Sequence, residues 1–376
     1  MREDLSVDGW KSTLYSMTPR PRFYAYVPSD KRPATGVPSA SEDFWPWVVA
    51  LREHRWSGAY YWTLQTCLRL RDAGFPCDLA DTLPSDGIII AHRDFLADTI
   101  RPSATQLLVC LLGDRETPEW WGIGRHPYAQ LHVVQNPRDP SLMHPDELWE
   151  SYHIPLWPQP GLLPRDPARG TRFQIAAFLG IDLAAELEAP TWRASLSELG
   201  LSWHRVPFER WHDYREIDVV VAVRSFDRRE YAEKPASKLY NAWLAGVPAV
   251  LGREPAYRYV RRSELDYLEV ESVQDALCAV RRLRDDAGLR EAMMANCRER
   301  APDVSPSRLV ALWCQFLTDT ATPAYERWHA ATPLARRLFL VRRQLAMYRR
   351  SALVRRGRVL SYRFSRAALR CLRAGS

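Results

Sequence analysis

The sequence lacks the long apolar runs and the cysteine spacing typical of membrane-spanning or secreted proteins. No uncharged apolar run reaches the roughly 18 residues that a spanning helix needs, and residues 1–12 (MREDLSVDGWKS) lack the apolar core of a signal peptide. The seven cysteines are odd in number and scattered, without a C-x-x-C pair, so they indicate neither a disulfide framework nor a zinc site. We therefore expect a cytoplasmic protein.

Metal-binding motifs are also missing. The chain contains no D-x-D triplet and no pair of histidines at metal-binding spacing. Nothing in the sequence therefore supplies a carboxylate cradle for a divalent cation on a diphosphate. We expect no metal and no resident cofactor.

The positive charge of the chain is concentrated at its C-terminal end. The net charge is +7 over 376 residues, yet residues 323–376 hold fourteen arginines and a single acid, Glu326, and so carry +13. The preceding 322 residues are therefore near −6. A mildly acidic body with a strongly basic tail predicts that the tail, and not the body, contacts a polyanion.

Strand-like and helix-like segments alternate twice along the chain, which predicts an α/β fold with buried parallel sheets. The length and the 46% hydrophobic content suffice for two cores. The stretch Pro155–Arg169 holds five prolines and little periodicity, as a linker does. We predict an N-terminal domain over residues 1–165, a second domain over 166–322 and a basic helical tail over 323–376. The predicted strands and helices are Arg22–Val27, 58–73, Ile88–Ala91, Leu107–Leu112, Leu131–Val134, Phe173–Phe178, Thr191–Leu199, Ile217–Val223, Ala249–Leu251 and Tyr267–Val270.

Residues 233–252 (EKPASKLYNAWLAGVPAVLG) predict a short helix with an anion at its N-terminus. Pro235 suits the first turn, and Gly246 with Pro248 ends the helix before an apolar strand. The preceding strand ends at Arg224, so this arginine, Lys234, Ser237 and Lys238 form one cationic corner with the helix dipole. A nucleotide pyrophosphate is the natural ligand. The alternative is that the two lysines are solvated surface cations.

The segment 217–252 resembles the donor-binding segment of GT-B glycosyltransferases of the family 4 and family 1 type. That resemblance implies two Rossmann-like domains facing across a cleft, with basic C-terminal helices. It places Lys234 and Lys238 on the phosphates of a nucleotide sugar, Ser237 beside them and Asn241 near the ribose or sugar.

One departure from the family pattern concerns Asn241. Many retaining members place two glutamates seven residues apart here, and Asn241 stands where the second would fall, so the resemblance fixes neither the nucleotide base nor the anomeric outcome. The segment also resembles the E-K-L-x-x-N-A-L-x-A-G stretch of alpha-1,3-fucosyltransferases, with Ser237 replacing the glutamate. GDP-sugars therefore stay among the candidate donors.

Two residues at strand ends of the first half are candidates for the base that accepts a proton from an acceptor hydroxyl. His92 follows the strand IIIA, and Asp114 lies two residues past LLVCLL. Each has a structural alternative, as a hydrogen-bonded loop residue and as a turn cap. His126 lies among aromatic residues that suit either sugar stacking or a core, and Arg165 reaches the cleft only if the linker is the hinge.

From Leu334 onward, arginine pairs alternate with apolar residues as in a basic amphipathic helix. We predict that residues 331–376 bind an anionic membrane surface, with a peripheral location on its inner face. The alternative is that the first part packs on the protein, as C-terminal helices of GT-B enzymes do when they return to the first domain.

The predicted function is a metal-independent glycosyltransferase acting on a cell-envelope glycan or a lipid-linked acceptor, with no nucleic-acid partner. Two alternatives stay open. One is a nucleic-acid or membrane-binding protein with a catalytically silent GT-B-like body, because an arginine-rich tail alone does not distinguish these polyanions. The other is a protein that binds a nucleotide sugar without turnover.

Overall fold

Two parallel β-sheets divide the chain into two lobes. The computed structural model describes residues 21–51, 57–113, 125–139, 142, 149–227 and 229–349. The first sheet has the strand order β2-β1-β3-β4-β5-β6, and the second has the order β8-β7-β9-β10-β11, with every adjacent pair parallel. The strands are β1 Phe23–Tyr26, β2 Asp78–Ala80, β3 Gly87–His92, β4 Gln106–Leu112, β5 Leu131–Val134, β6 Glu150–His153, β7 Ile175–Leu179, β8 Ser202–Val206, β9 Val219–Ala222, β10 Ala249–Gly252 and β11 Leu268–Val270.

Helices connect the strands and cover both sheets. They are α1 Phe44–Ala50, α2 Ser57–Asp72, α3 Pro190–Glu198, α4 Ser237–Ala245, α5 Pro255–Val260, α6 Val273–Asp285, α7 Ala287–Arg300, α8 Pro306–Gln315, α9 Thr322–Ala330 and α10, residues 333–349; a π-helical segment, Phe316–Ala321, joins α8 to α9. The central strands β3, β4 and β9 are buried at every position. Their apolar sequences (GIIIAH, QLLVCLL, VVVA) suit strands covered on both faces. The predicted α/β fold with two Rossmann-like domains is confirmed.

Both sheets share one topology. In each, the chain runs from the first strand outward to the second, then crosses back over the first to a third strand. The direction of winding therefore reverses between β1 and β3 in the first sheet and between β7 and β9 in the second. Such a reversal leaves a crevice at the carboxyl ends of the two strands, where ligands of open α/β sheets bind.

The proline-rich linker is anchored to both lobes. Trp157 is buried in the first core and donates its indole N–H to Thr66 Oγ1 at 2.7 Å. Farther along, the backbone N–H of Leu163 donates to the carbonyl of His212 at 2.7 Å, and that of Arg165 to the carbonyl of Ala245 at 3.0 Å. The crossing between the lobes therefore lies between Trp157 and Leu163.

The chain returns to the first lobe after α7. Leu309, Trp313 and Phe316 pack in the same core as α2 and β4. The predicted second domain extended to residue 322, whereas these side chains, from residue 309 onward, pack with the first sheet. The helices from α8 onward therefore lie on the first lobe. Within the described ranges, no helix is long and apolar enough to span a bilayer.

Candidate active site

The crevice of the second sheet holds most of the predicted cations. Strand β7 leads into Gly180 and Asp182, and β9 leads into Arg224. The Asp182 carboxylate lies 3.2 Å from Nη1 of Arg224 and 3.4 Å from Nζ of Lys234. This carboxylate therefore bridges two of the predicted phosphate ligands across the point where the sheet reverses.

Helix α4 begins at this crevice. Ser237 is its first residue, and the N-cap residue is Ala236, which provides no side-chain cap hydrogen bond. At the other end Gly246 adopts the left-handed conformation (φ 68°), which ends the helix as predicted. The positive end of the α4 dipole thus lies beside Arg224 and Lys234, and this is the arrangement that favours a bound anion.

Lys238 lies one residue into α4, with its ammonium between two aromatic rings. Nζ is 5.4 Å from the centroid of the Phe178 ring and 5.7 Å from that of Trp211. On a third side lies Gly180, where an added Cβ would be 2.2 Å from Nζ. Because Gly180 has no side chain, there is room for the Lys238 ammonium at this position.

Arg224 is held in place by a buried carboxylate. Its Nε donates to Oε2 of Glu254 at 3.1 Å, and the Glu254 residue is 2% exposed. Burial raises the pKa of Glu254 above its usual value, against the opposing effect of Arg224. A cleft of about 580 Å³ opens next to this pair, lined also by Tyr231, Arg253 and Glu271. A volume of this size accommodates a nucleoside.

The carboxyl edges of the two sheets face each other here. Just past β5 in the first lobe, Nδ2 of Asn136 donates to the carbonyl of Lys234 at 2.7 Å, and Nε2 of Gln135 donates to that of Glu233 at 3.2 Å. The segment that leads into α4 is thereby fixed to the opposite lobe. Two lobes facing across a cleft were predicted, and the structure has this arrangement.

Asn241 lies on α4, next to the linker. It is buried, and its Oδ1 accepts a hydrogen bond from the backbone N–H of Gln159 at 2.9 Å. Burial raises the pKa of the Tyr214 hydroxyl, and the neighbouring Asn241 side chain opposes that rise. Asn241 therefore joins α4 to the linker, and a contact with the ribose or sugar stays a prediction.

His92 ends β3, at the crevice of the first sheet. Its Nδ1 accepts from the backbone N–H of Asp94 at 3.2 Å and lies 3.4 Å from the Asp94 carboxylate. Its Nε2 is directed toward Gly113 at the end of β4, where an added Cβ would be 2.3 Å away. The imidazole is thus oriented by Asp94 on one side, with the other ring nitrogen toward the carboxyl edge. Asp114 lies outside the described residues.

Two weaker candidates have structural roles. Nδ1 of His126 accepts from the backbone N–H of Ala129 at 3.0 Å, Nε2 lies 2.9 Å from the carbonyl of Ala97, and burial lowers the His126 pKa to about 4. Arg165 pairs with buried Asp218 at 2.9 Å, at the amino end of β9 and therefore away from the cleft. Both side chains are thus engaged in contacts within the fold.

The sequence reasoning missed Gly180, Asp182 and Glu254. All three follow strands of the second sheet, so the same search of strand ends could have found them. Their roles depend on which strands are neighbours. Among the described residues, no group of three or more His, Cys, Asp or Glu side chains is arranged to hold a metal ion.

Comparisons with known proteins find similarity in fold alone. No family model matches the chain, and no curated protein matches it in sequence. Among solved structures, Anabaena HepE in complex with UDP-glucose covers 80% of this chain and 100% of its own, at 10% identity and a TM-score of 0.48. Sucrose-phosphate synthase of Thermosynechococcus elongatus covers 70% and 78%, at 14% identity and a TM-score of 0.45. A point mutant of S. aureus TarM in complex with UDP covers 63% and 56%, at 9% identity and a TM-score of 0.46.

Proposed function

We propose that this protein is a glycosyltransferase that moves a sugar from a nucleoside-diphosphate donor to a glycan or lipid-linked acceptor. The observation that carries the proposal is the cationic corner at the crevice of the second sheet. Arg224, Lys234 and Lys238 converge there on the uncapped start of α4, beside a cleft large enough for a nucleoside. Dense positive charge at a helix start is suited to a diphosphate.

In the proposed reaction the acceptor hydroxyl attacks the anomeric carbon while the bond from that carbon to the diphosphate oxygen breaks. The diphosphate leaves with the bonding electrons, and the three cations and the α4 dipole stabilise the charge that develops on it. This step uses the tautomer in which Nδ1–H of His92 donates to the Asp94 carboxylate, 3.4 Å away, instead of accepting from the Asp94 N–H, so that the hydroxyl proton passes to the free Nε2. This chemistry uses no metal.

Asp182 has a defined part in this proposal. Its carboxylate lies on Arg224 and Lys234, where we place the diphosphate. The Asp182 side chain is 47% exposed, so it can turn away into solvent when a diphosphate arrives. The corner therefore keeps its cations in position before the donor binds, which lowers the cost of ordering them.

The experiment that tests the function measures nucleotide release. Purified protein is incubated with UDP-, GDP-, CDP- and dTDP-sugars, with and without a membrane extract as the source of acceptor. We expect one donor to release its nucleoside diphosphate, faster when the acceptor is present. Tight binding of a nucleotide sugar with no release in either case would indicate the silent binding protein instead.

A substitution at Gly180 tests the corner without removing a charge. In Gly180→Ala the new methyl group would lie 2.2 Å from Nζ of Lys238, so the flexible lysine must move its ammonium. We expect diphosphate affinity, measured by calorimetry, to fall by about tenfold, because one charge-assisted hydrogen bond is weakened. The control is Gly58→Ala, where the added methyl has no neighbour within 4 Å. Equal affinity in both variants would place the diphosphate elsewhere.

A further inference from the structure

Helix α10, residues 333–349, packs on the first lobe through two arginines and several apolar side chains. Arg343 is 2% exposed, and its guanidinium donates to the backbone carbonyls of Ala129 and Gln130. The same guanidinium lies 5.5 Å from the Trp149 ring centroid and 4.1 Å from that of Phe339. Two helical turns earlier, Arg336 donates to the carbonyl of Trp328 at 3.2 Å. Phe339, Leu340 and Met347 are half-buried on the same side, so the inward face of α10 combines two arginines with apolar side chains.

The outward face of α10 is apolar. Five large side chains on it are 43% to 76% exposed, at successive intervals of four, three, four and three residues: Leu334, Leu338, Val341, Leu345 and Tyr348. At about 100° per residue, these five positions lie within about 40° of one line along the helix. We name this set the apolar stripe. Most surface helices have apolar residues only on the side toward the core, whereas α10 has them on both sides.

Arginines border the apolar stripe on both sides. Arg337, Arg342 and Arg349 are exposed, and the helical repeat places them about 60° to 80° from the centre of the stripe. This pattern is typical of helices that lie in the interface plane of a bilayer, with apolar side chains among the acyl chains and basic ones at the headgroups. The stripe ends with Tyr348, whose amphipathic ring suits that boundary.

We propose that the apolar stripe of α10 inserts into an anionic lipid surface and holds the first lobe against it. The positive charge around the stripe favours anionic lipid as its binding partner. Residues 333–349 carry five arginines and no acidic residue, and residues 350–376 add eight arginines and again no acid. A second copy of α10, or the following segment of the same chain, would bring like charges together. Anionic lipid offers both an apolar layer and the opposite charge.

This proposal goes beyond the glycosyltransferase activity and does not depend on it. The carbonyls that hold Arg343 belong to the residues just before β5, at the amino edge of the first sheet. The two crevices lie at the carboxyl edges. Lipid binding through the stripe therefore leaves the donor site open.

The test is flotation of the full chain with vesicles of phosphatidylcholine, alone or mixed with phosphatidylglycerol. The variant carries Leu338→Ser, Val341→Ser and Leu345→Ser together, and the protein fold should tolerate these changes because all three side chains are already exposed. We expect the parent to float with the mixed vesicles and the variant to partition at least about tenfold more weakly, since three aliphatic side chains no longer enter the bilayer.

Two comparisons make the result decisive. Tyr259→Ser removes an equally exposed apolar side chain from the second lobe and should leave flotation unchanged. Added salt should weaken binding of the parent without abolishing it, because salt screens the arginines and not the stripe. Flotation of the triple variant equal to that of the parent would overturn the proposal. A parent that is dimeric by sedimentation, becomes monomeric in the triple variant and does not float would make the stripe a dimer face instead.

Discussion

Replacing Lys238 by methionine should remove most of the affinity for a nucleoside diphosphate. Methionine keeps an unbranched apolar stem between the Phe178 and Trp211 rings and removes only the ammonium. A hydrogen bond to a charged group contributes about 1.5–3 kcal/mol, so the dissociation constant should rise roughly 10- to 150-fold. The measurement is the thermal midpoint with UDP, GDP, CDP and dTDP, compared between parent and variant.

The size of the expected midpoint shift follows from mass action. At a ligand concentration of about 100 dissociation constants, the ligand stabilises the parent by about 2.7 kcal/mol. After a roughly hundredfold loss of affinity, the same concentration contributes only about 0.4 kcal/mol. Lys31→Met is the matched control, because Lys31 belongs to the first lobe and pairs with Asp30. If Lys238→Met keeps the full ligand-induced shift, its ammonium does not contact the diphosphate.

The strands that could be predicted from the sequence lie at other positions in the sheets than the strands that could not. The central strands β3, β4 and β9 were predicted from their apolar runs. Three strands were not predicted: β2 (DLA), β6 (ESYH) and β8 (SWHRV). All three lie at sheet edges, where one side of the strand meets solvent, and only one of their residues, Trp203, is buried. Edge strands need no continuous apolar run, so their sequences resemble loops.

The cations of the candidate site could be predicted, but their partners could not. Arg224, Lys234 and Lys238 stand near a strand end or helix start that the sequence itself marks. Asp182 and Glu254 approach Arg224 from two other strands of the sheet, and their proximity depends on the strand order β7-β9-β10. That order is set by how the whole sheet packs and not by any local pattern.

The orientation of α10 could not be predicted from its own sequence either. Alternating arginines and apolar residues predicted an amphipathic helix, and a helix that packs on a protein usually does so through its apolar face. In the structure both faces of α10 carry apolar side chains, and Phe339, Leu340 and Met347 are on the inward one. Arg343 lies on that face too, against carbonyl groups before β5 and the rings of Trp149 and Phe339. These partners of Arg343 include residues far away along the chain, so the local pattern does not show which of the two faces points outward.

Replacing His92 by glutamine should slow the transfer step strongly and leave donor binding intact. Glutamine has a similar reach and can hydrogen-bond, but it takes up no proton at neutral pH. General-base catalysis contributes about 10²- to 10⁴-fold, so we expect kcat for transfer to fall within that range. The ligand-induced thermal shift should stay unchanged, because His92 lies in the first lobe and the cationic corner in the second.

A substitution of Asp94 provides a second test of this prediction, with a smaller expected loss of kcat. The Asp94 carboxylate lies 3.4 Å from Nδ1 of His92, and the interaction with His92 holds the Asp94 pKa below its usual value. The same carboxylate is the acceptor for Nδ1–H of His92 in the tautomer whose Nε2 is the base. Asp94→Asn should therefore lower kcat, but less than His92→Gln does. His329→Gln, an exposed histidine on α9, is the control. If kcat is unchanged in His92→Gln, another residue of the first lobe is the base. Asp114 would then be the next residue to substitute.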